Sequence, residues 1–283
     1  MQEIWTIGRI LKWTEQYFKE KGIESPRLDA EVLLSHILGR ERIYLYVHFD
    51  EPLEPAELAR YRDAIKQRVQ RVPVAYIIGE KEFMGLTFKV TEDTLVPRPD
   101  TEILVQAAVE RLRARGEAPR FADIGTGSGA ICLSVLHFLP KAQADTVDIS
   151  PAARAIAEEN AAALEVADRV TFHTGDLLAP LAGSYDAILS NPPYIPDDDI
   201  AALAPEVRLK EPHTALAGGK DGLDFYRRLT ADAPALLKDG GFLALEVGIH
   251  QAAPVAALAV PSFSRTEILK DYAGIERVVI AWK

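Results

Sequence analysis

Apolar residues recur at helical spacing from the start of the chain. Ile7, Ile10, Leu11, Thr14, Tyr17 and Phe18 fall on one face of a 3.6-residue period, and Gly22 ends the run. Ser25-Pro26 then supplies a cap and a first-turn proline for a second helix. Its stripe is Leu28, Val32, Leu33 and Ile37, and Gly39 closes it. A further amphipathic helix spans Pro55 to Gln70 and stops before Pro73. Residues 1–73 therefore predict a small all-helical domain, suited to packing or to recognising a substrate, with no chemistry of its own.

From Val74 the period changes to two. Tyr76-Ile77-Ile78-Gly79 and the run from Phe83 to Val90 predict a β-hairpin with glycines at its bends, so residues 74–98 read as a linker. Leu95 to Glu102, stiffened by Pro97 and Pro99, predicts an extended segment entering a helix from Ile103 to Arg115 capped by Asp100. Residues 99–283 then alternate strand and helix. Strands are predicted at Arg120–Ile124, Ala144–Asp148, Val170–His173, Tyr185–Ser190 and Gly241–Val247, and a closing antiparallel pair at Ser264–Lys270 and Arg277–Trp282. Such alternation means an α/β fold, a mainly parallel sheet with helices on both faces.

Composition narrows the class further. The chain has 283 residues, 48% of them apolar, enough for one large core or two ordinary ones. No apolar run reaches the length of a membrane span, and Met1-Gln2-Glu3-Ile4-Trp5 lacks the pattern of a secretory signal. The single cysteine, Cys132, excludes an internal disulfide and fits a cytoplasmic protein. Lys+Arg and Asp+Glu balance at 12 each over residues 1–75, whereas residues 76–283 carry 20 against 30. The net charge of −10 thus lies entirely in the second part, the wrong sign for gripping a phosphate backbone. No metal-ligand spacing occurs among the scattered histidines and the lone cysteine.

The most informative motif is Asn191-Pro192-Pro193-Tyr194, which follows the apolar run Ala187-Ile188-Leu189-Ser190. Two prolines cannot continue a sheet ladder, and the first holds Asn191 extended. A strand stops there and leaves a stiff loop presenting an amide side chain, the Pro192 carbonyl and an aromatic ring. The bland reading is a loop stop with a surface tyrosine. The chemical reading is a grip for a planar –NH2 group: Asn191 and the Pro192 carbonyl accept its hydrogens, and Tyr194 packs on its face. Asn/Asp-Pro-Pro-Tyr is the motif of methyltransferases that alkylate planar amino nitrogens.

A second motif, Asp123-Ile124-Gly125-Thr126-Gly127-Ser128-Gly129-Ala130, follows the first strand and opens a helix. Glycines there let backbone approach a ligand at the C-terminal edge of a sheet. Asp148 ends the next strand 19 residues after Gly129, placed to take both hydroxyls of a ribose. By itself this loop fits either NAD or S-adenosylmethionine, since it also satisfies the dinucleotide fingerprint. Asp123, in place for a ligand ammonium, and Gly175-Asp176, in place for an adenine amine, favour S-adenosylmethionine.

Taken together, these pieces resemble the protein-(glutamine) N-methyltransferases that act on peptide chain release factors. The resemblance covers essentially the whole chain. It runs through the helical domain, Tyr76 to Gly79 with Glu82 to Gly85, the segment Val96-Pro97-Arg98-Pro99-Asp100-Thr101-Glu102, both motifs above, Val147-Asp148-Ile149-Ser150, Glu211-Pro212, and Gly218-Gly219-Lys220-Asp221-Gly222-Leu223. It implies a Rossmann-like class I S-adenosylmethionine methyltransferase sheet behind a small N-terminal helical domain and a hairpin linker. It implies methyl transfer to the glutamine of a Gly-Gly-Gln loop in bacterial class I release factors, by a cytoplasmic monomer that touches neither nucleic acid nor membrane. Asn191, Pro192, Pro193 and Tyr194 would hold the glutamine. Asp123, Gly125, Thr126, Gly127, Ser128, Gly129, Asp148, Ile149, Asp176, Leu177 and Asn191 would hold the cofactor.

Three other readings share part of this pattern. A nucleic-acid adenine methyltransferase shares Asn-Pro-Pro-Tyr but requires a basic recognition surface and a pocket for a flipped base. A ribosomal-protein glutamine methyltransferase shares the chemistry. A non-catalytic S-adenosylmethionine-binding protein would be free to lose Asn191 or Tyr194.

Overall fold

The computed structural model describes residues 4–283; the first three residues of the stretch weighed as a leader lie outside it. The chain divides into two compact units, one of residues 1–79 with 204–210, the other of residues 80–203 with 211–283.

The first unit is helical. It comprises α1 (Ile7–Glu20), α2 (Pro26–Leu38), α3 (Arg42–Val47), α4 (Pro55–Val69) and α5 (Val74–Ile78), joined by α9 (Pro205–Lys210) from much later in the chain. Thr6 caps α1 by accepting from the Arg9 N–H, and Ile7, Ile10, Leu11, Thr14 and Phe18 are its buried face, as their spacing predicts. Gly39 ends α2 at φ 61°, a left-handed value that favours glycine. Ser25 precedes α2 without a side-chain capping bond, and α3 was not foreseen. Tyr76–Gly79, expected as a strand, falls instead in the helical turn Val74–Ile78: Pro73 starts it, Gly79 ends it at φ 81°, and Ile77 and Ile78 pack on the helical core.

The second unit opens with the hairpin β1 (Glu80–Phe83) and β2 (Leu86–Lys89), turning at Met84 and Gly85 with φ of 54° and 73°. The hairpin therefore exists, but begins after Gly79. Asp100 does not cap the following helix; Pro99–Thr101 form a 3-10 turn, α6 runs Glu102–Arg115, and Asp100 pairs with Arg277 at 2.9 Å. Next come β3 (Arg120–Ile124), α7 (Ala130–Phe138), β4 (Gln143–Asp148), α8 (Pro151–Ala163), β5 (Val170–Thr174) and β6 (Tyr185–Ser190). The chain ends with α10 (Asp224–Leu236), β7 (Leu237–Glu246), α11 (Ala252–Ala259), β8 (Arg265–Lys270) and β9 (Glu276–Trp282).

Seven strands form one sheet in the order β5-β4-β3-β6-β7-β9-β8, parallel up to β7 and antiparallel for the last two pairings. All six residues of β6 are buried, and its centre, Ala187 to Leu189, is apolar, as expected of a strand covered on both faces. From β3 the chain winds outward through β4 and β5, then returns to place β6 on the other side of β3. The β3/β6 boundary is therefore the topological switch point, where open α/β sheets bind ligands.

Candidate active site

Both motifs issue from that switch point. Ile124 of β3 is level with Ser190 of β6, so Gly125 and Asn191 leave adjacent strands side by side. A Cβ on Gly125 would lie 3.9 Å from the Asn191 carbonyl oxygen. Around them opens a cavity of about 390 Å³, lined by Gly125 to Ser128, Asp148 to Ser150, Gly175 to Leu177, Asn191 and Pro193. Residues not foreseen as part of the site also line it, notably Arg98, Thr101, His213 and Phe225.

The glycine loop is held from three sides. Val147 O accepts from the N–H groups of Gly125 and Thr126, at 2.9 and 3.1 Å. Asp148 accepts from Gly127 N at 2.8 Å and, through its other oxygen, from Ser150 N at 2.8 Å. Asn160 of α8 donates to Ser128 O at 2.8 Å and to Lys89 O at 3.0 Å, tying the loop to the hairpin. Gly125, Gly127 and Gly129 have φ of 83°, 54° and 83°, and a Cβ on Gly129 would stand 2.7 Å from Leu133. The Thr126 hydroxyl is engaged with Thr146 at 2.6 Å.

Asp123 sits beneath this loop, not on the cavity wall. It is fully buried, accepts from Cys132 N at 3.2 Å, and its Oδ1 has no partner. Burial pushes its carboxyl well above the usual range. Of the two ways the sequence allows Asp123 to meet a ligand ammonium, directly or through water, its position beneath the loop leaves the indirect one the shorter change from this geometry. Asp176 lines the cavity with its carboxylate paired to Arg228 at 2.5 Å, and Leu177 beside it adopts a left-handed φ of 48°. Ile149 is 63% exposed and lines the cavity, a flat apolar edge beside Asp148.

The Asn-Pro-Pro-Tyr loop is cradled as tightly. Asn191 Nδ2 donates to Thr101 Oγ1 at 3.3 Å. Gln251 Nε2 donates to the Tyr194 carbonyl at 2.9 Å, while Gln251 Oε1 accepts from Gly248 N at 3.0 Å. Ile195 N donates to Leu216 O and Gly218 N to Ile195 O. A Cβ on Gly222 would come within 2.3 Å of the Tyr194 carbonyl oxygen, and one on Gly218 within 2.8 Å of the Pro193 oxygen. The glycines of 218–222 thus serve close backbone approach. Pro192 is buried, and neither it nor Tyr194 lines the cavity wall. Burial, and then the charge of Glu246, push the Tyr194 phenol up to about 12.

A salt bridge and an arginine-centred triad lie beside the site. Arg98 Nη2 lies 2.5 Å from Glu211 Oε1, whose Oε2 is buried and unpartnered, and burial raises the Glu211 carboxyl despite that arginine. Arg277 bridges Asp100 and Asp271 at 2.9 Å each. Among the described residues no group of His, Cys, Asp and Glu could hold a metal ion, and no helix is long and apolar enough to cross a membrane.

Comparison with known proteins agrees with this geometry. Residues 9–79 match the PrmC N-terminal domain model and residues 99–219 the methyltransferase small domain model. The crystal structure of a methyltransferase from Pyrococcus furiosus superposes with a TM-score of 0.57 at 19% identity, covering 77% of this chain and 98% of that one. Sheet order, glycine loop and switch-point cavity define a Rossmann-like class I methyltransferase. The release factor glutamine methyltransferase of Geobacter sulfurreducens is 48% identical over 98% of this chain and 96% of its own. The enzyme of that name from Moorella thermoacetica is 48% identical over 93% of each. The chain belongs to the release factor glutamine methyltransferase family.

Proposed function

We propose that this enzyme transfers a methyl group from S-adenosylmethionine to the side-chain amide nitrogen of the glutamine in the Gly-Gly-Gln loop of a bacterial class I release factor. The observation that carries the reading is the adjacency of Asn191 to the glycine loop at one cavity. A methyl donor and an amide acceptor held there meet at the switch point of the sheet.

The residues present fit such a donor. Asp148 keeps lone pairs for ribose hydroxyls beyond the two backbone N–H groups it already accepts. Gly125 and Gly127 line the cavity with left-handed φ and bring backbone rather than side chain to its wall, and Asp123 Oδ1 places a buried unpartnered acceptor under the loop. Bound there, S-adenosylmethionine supplies an electrophilic methyl and leaves as S-adenosylhomocysteine.

The chain's own contribution is positional and electrostatic. An amide nitrogen is a poor nucleophile because its lone pair is delocalised into the carbonyl. Asn191 Oδ1 and the Pro192 carbonyl each accept one of its N–H bonds, fixing the nitrogen and favouring the positive charge that develops as it attacks. Tyr194 supports the amide plane. The surplus proton leaves to solvent, and no general base is required. The helical unit, whose residues 1–75 carry balanced charge, is the surface proposed to recognise the protein substrate in the cytoplasm.

Incubating the enzyme with labelled S-adenosylmethionine and, separately, a release factor, ribosomal proteins and DNA tests the reading. Label on the release factor glutamine is the expected result. Label on a ribosomal protein or on DNA alone would replace it with one of the related activities.

A further inference from the structure

Glu246 has no part in the mechanism above, yet it is a 2% exposed carboxylate at the end of a strand beside the catalytic loop. Leu245 of β7 is level with Ser190 of β6, so Glu246 and Asn191 are the next residues on neighbouring parallel strands. The Glu246 carboxyl faces Thr101 and Asn191, while its Oε2 is buried without a hydrogen-bond partner. Thr101 is itself 4% exposed and accepts from Asn191 Nδ2 at 3.3 Å.

We propose that Glu246, acting through Thr101, is the positioning residue that turns Asn191 Oδ1 toward the substrate. The inference rests on the proposed role of Asn191. A carboxylate is an acceptor only, so a hydroxyl facing it must donate to it. Thr101 then offers its lone pairs to Asn191, and Asn191 can satisfy them only with Nδ2. The amide end left for the cavity is Oδ1, the acceptor the substrate –NH2 needs. A protonated Glu246 can donate to Thr101, which frees the threonine proton for Asn191 Oδ1 and lets the amide turn its wrong end outward.

Titration of this group falls in a usable range. Burial raises the Glu246 carboxyl to about 7; hydrogen bonding from Thr101 opposes this, the charge of Asp100 adds to it, and Arg277 and Asn191 oppose it more weakly. The groups facing it are thus Asp100 from the 3-10 turn, Arg277 from β9, Tyr194 from the loop, and Tyr226 from α10, whose hydroxyl donates to the Glu246 carbonyl at 2.8 Å. Methyl transfer should therefore fall as the pH drops through about 7.

The test compares full-length wild type with Glu246→Gln, Thr101→Val and Thr101→Ser. For Glu246→Gln the expected result is a fall in kcat of about tenfold or more, with S-adenosylmethionine affinity held within about twofold and the acid limb of the kcat profile gone. Thr101→Val should lose activity similarly and Thr101→Ser should restore most of it. Unchanged kcat, or an acid limb that persists in Glu246→Gln, overturns the proposal. Should that variant fail to fold, full activity in Thr101→Val overturns it instead. Asn191→Ala separates the two readings. If it is active, the role of Asn191 fails; if it is inactive while Glu246→Gln is normal, only the positioning role fails.

Discussion

Gly127 and Asp148 are joined by a 2.8 Å hydrogen bond that links the loop after β3 to the end of β4, the glycine N–H donating to Oδ2. The acid is therefore both a brace for the glycine loop and the charged group at its edge. Asp148→Ala should weaken S-adenosylmethionine binding by roughly 1–3 kcal/mol, because the ribose hydroxyls lose a charged acceptor and the loop its tether. Asp148→Asn, which keeps an acceptor oxygen, should lose less. Isothermal calorimetry distinguishes the two variants, and unaltered affinity in Asp148→Ala would remove the ribose assignment.

Asn191→Ala should abolish methyl transfer while leaving S-adenosylmethionine affinity within about tenfold. On the proposed mechanism the variant removes an acceptor for the reacting nitrogen, worth about 2–4 kcal/mol if it behaves like an oxyanion-hole donor. Measuring cofactor binding beside turnover checks the separation. Near-normal turnover would dismiss the assignment.

The three carboxylates of Asp197, Asp198 and Asp199 form an exposed 3-10 turn a few residues beyond Tyr194, and none lines the cavity. If the substrate loop is flanked by basic residues, as a segment that works against RNA would need, these carboxylates would steer its approach. Changing all three to Asn should slow association with the release factor at low salt, and the difference should shrink as screening rises. Turnover on a short neutral glutamine peptide should not change. Equal association rates at low ionic strength would make the turn a solvated loop and nothing more.

How far the sequence foretold this architecture depends on the range of the forces involved. The central strands were legible because each is buried on both faces and ends at a turn residue; Arg120–Ile124 and Tyr185–Ser190 match residue for residue. The composition predicts a strand from Gly241, but β7 begins at Leu237: Leu237 already pairs with Tyr185, and Lys238-Asp239-Gly240, which has the composition of a turn, lies in a bulge before pairing resumes at Phe242. Val74–Ile78 misled because a five-residue β-branched and aromatic run between proline and glycine carries no period, and packing on the helical core decided it. Asp100 looked like a cap, but its partner Arg277 is remote in sequence, and such pairing leaves no local trace. Glu246 carries one signal in the sequence: a lone acid closing the apolar run Phe242-Leu243-Ala244-Leu245 occupies the same strand-end position as Asp148.

In the helical unit, Arg68 is 5% exposed and bridges Asp29 at 2.7 Å and Glu206 at 2.8 Å. Arg68→Ala should destabilise this unit by roughly 3–5 kcal/mol, because two largely buried carboxylates lose their only shared cation. The triple variant Arg68→Met, Asp29→Leu and Glu206→Leu should recover much of that loss, since apolar groups then replace the whole buried network and no carboxylate is left unpaired. Urea midpoints of the three proteins decide it, and a loss under about 1 kcal/mol in Arg68→Ala would mark the bridge as a surface pair.

Glu246 also sets a stability that depends on pH with a definite sign. Its folded pKa, about 7, stands above the ordinary 4.5, so the native state keeps a proton that the unfolded chain releases. The stabilisation by that proton is complete below pH 4.5 and is lost as the pH rises through about 7. Above that, holding the buried carboxylate costs about 3 kcal/mol. Glu246→Gln carries no charge at any pH. Its unfolding free energy should therefore exceed that of wild type at pH 8, and the difference should narrow steadily on acidification toward pH 5. The same variant is expected to lose methyl transfer, so stability and activity would move in opposite directions on one substitution. Urea titrations of both proteins from pH 5 to 8 measure the difference directly, and parallel stability profiles would show that Glu246 is not buried as a charge.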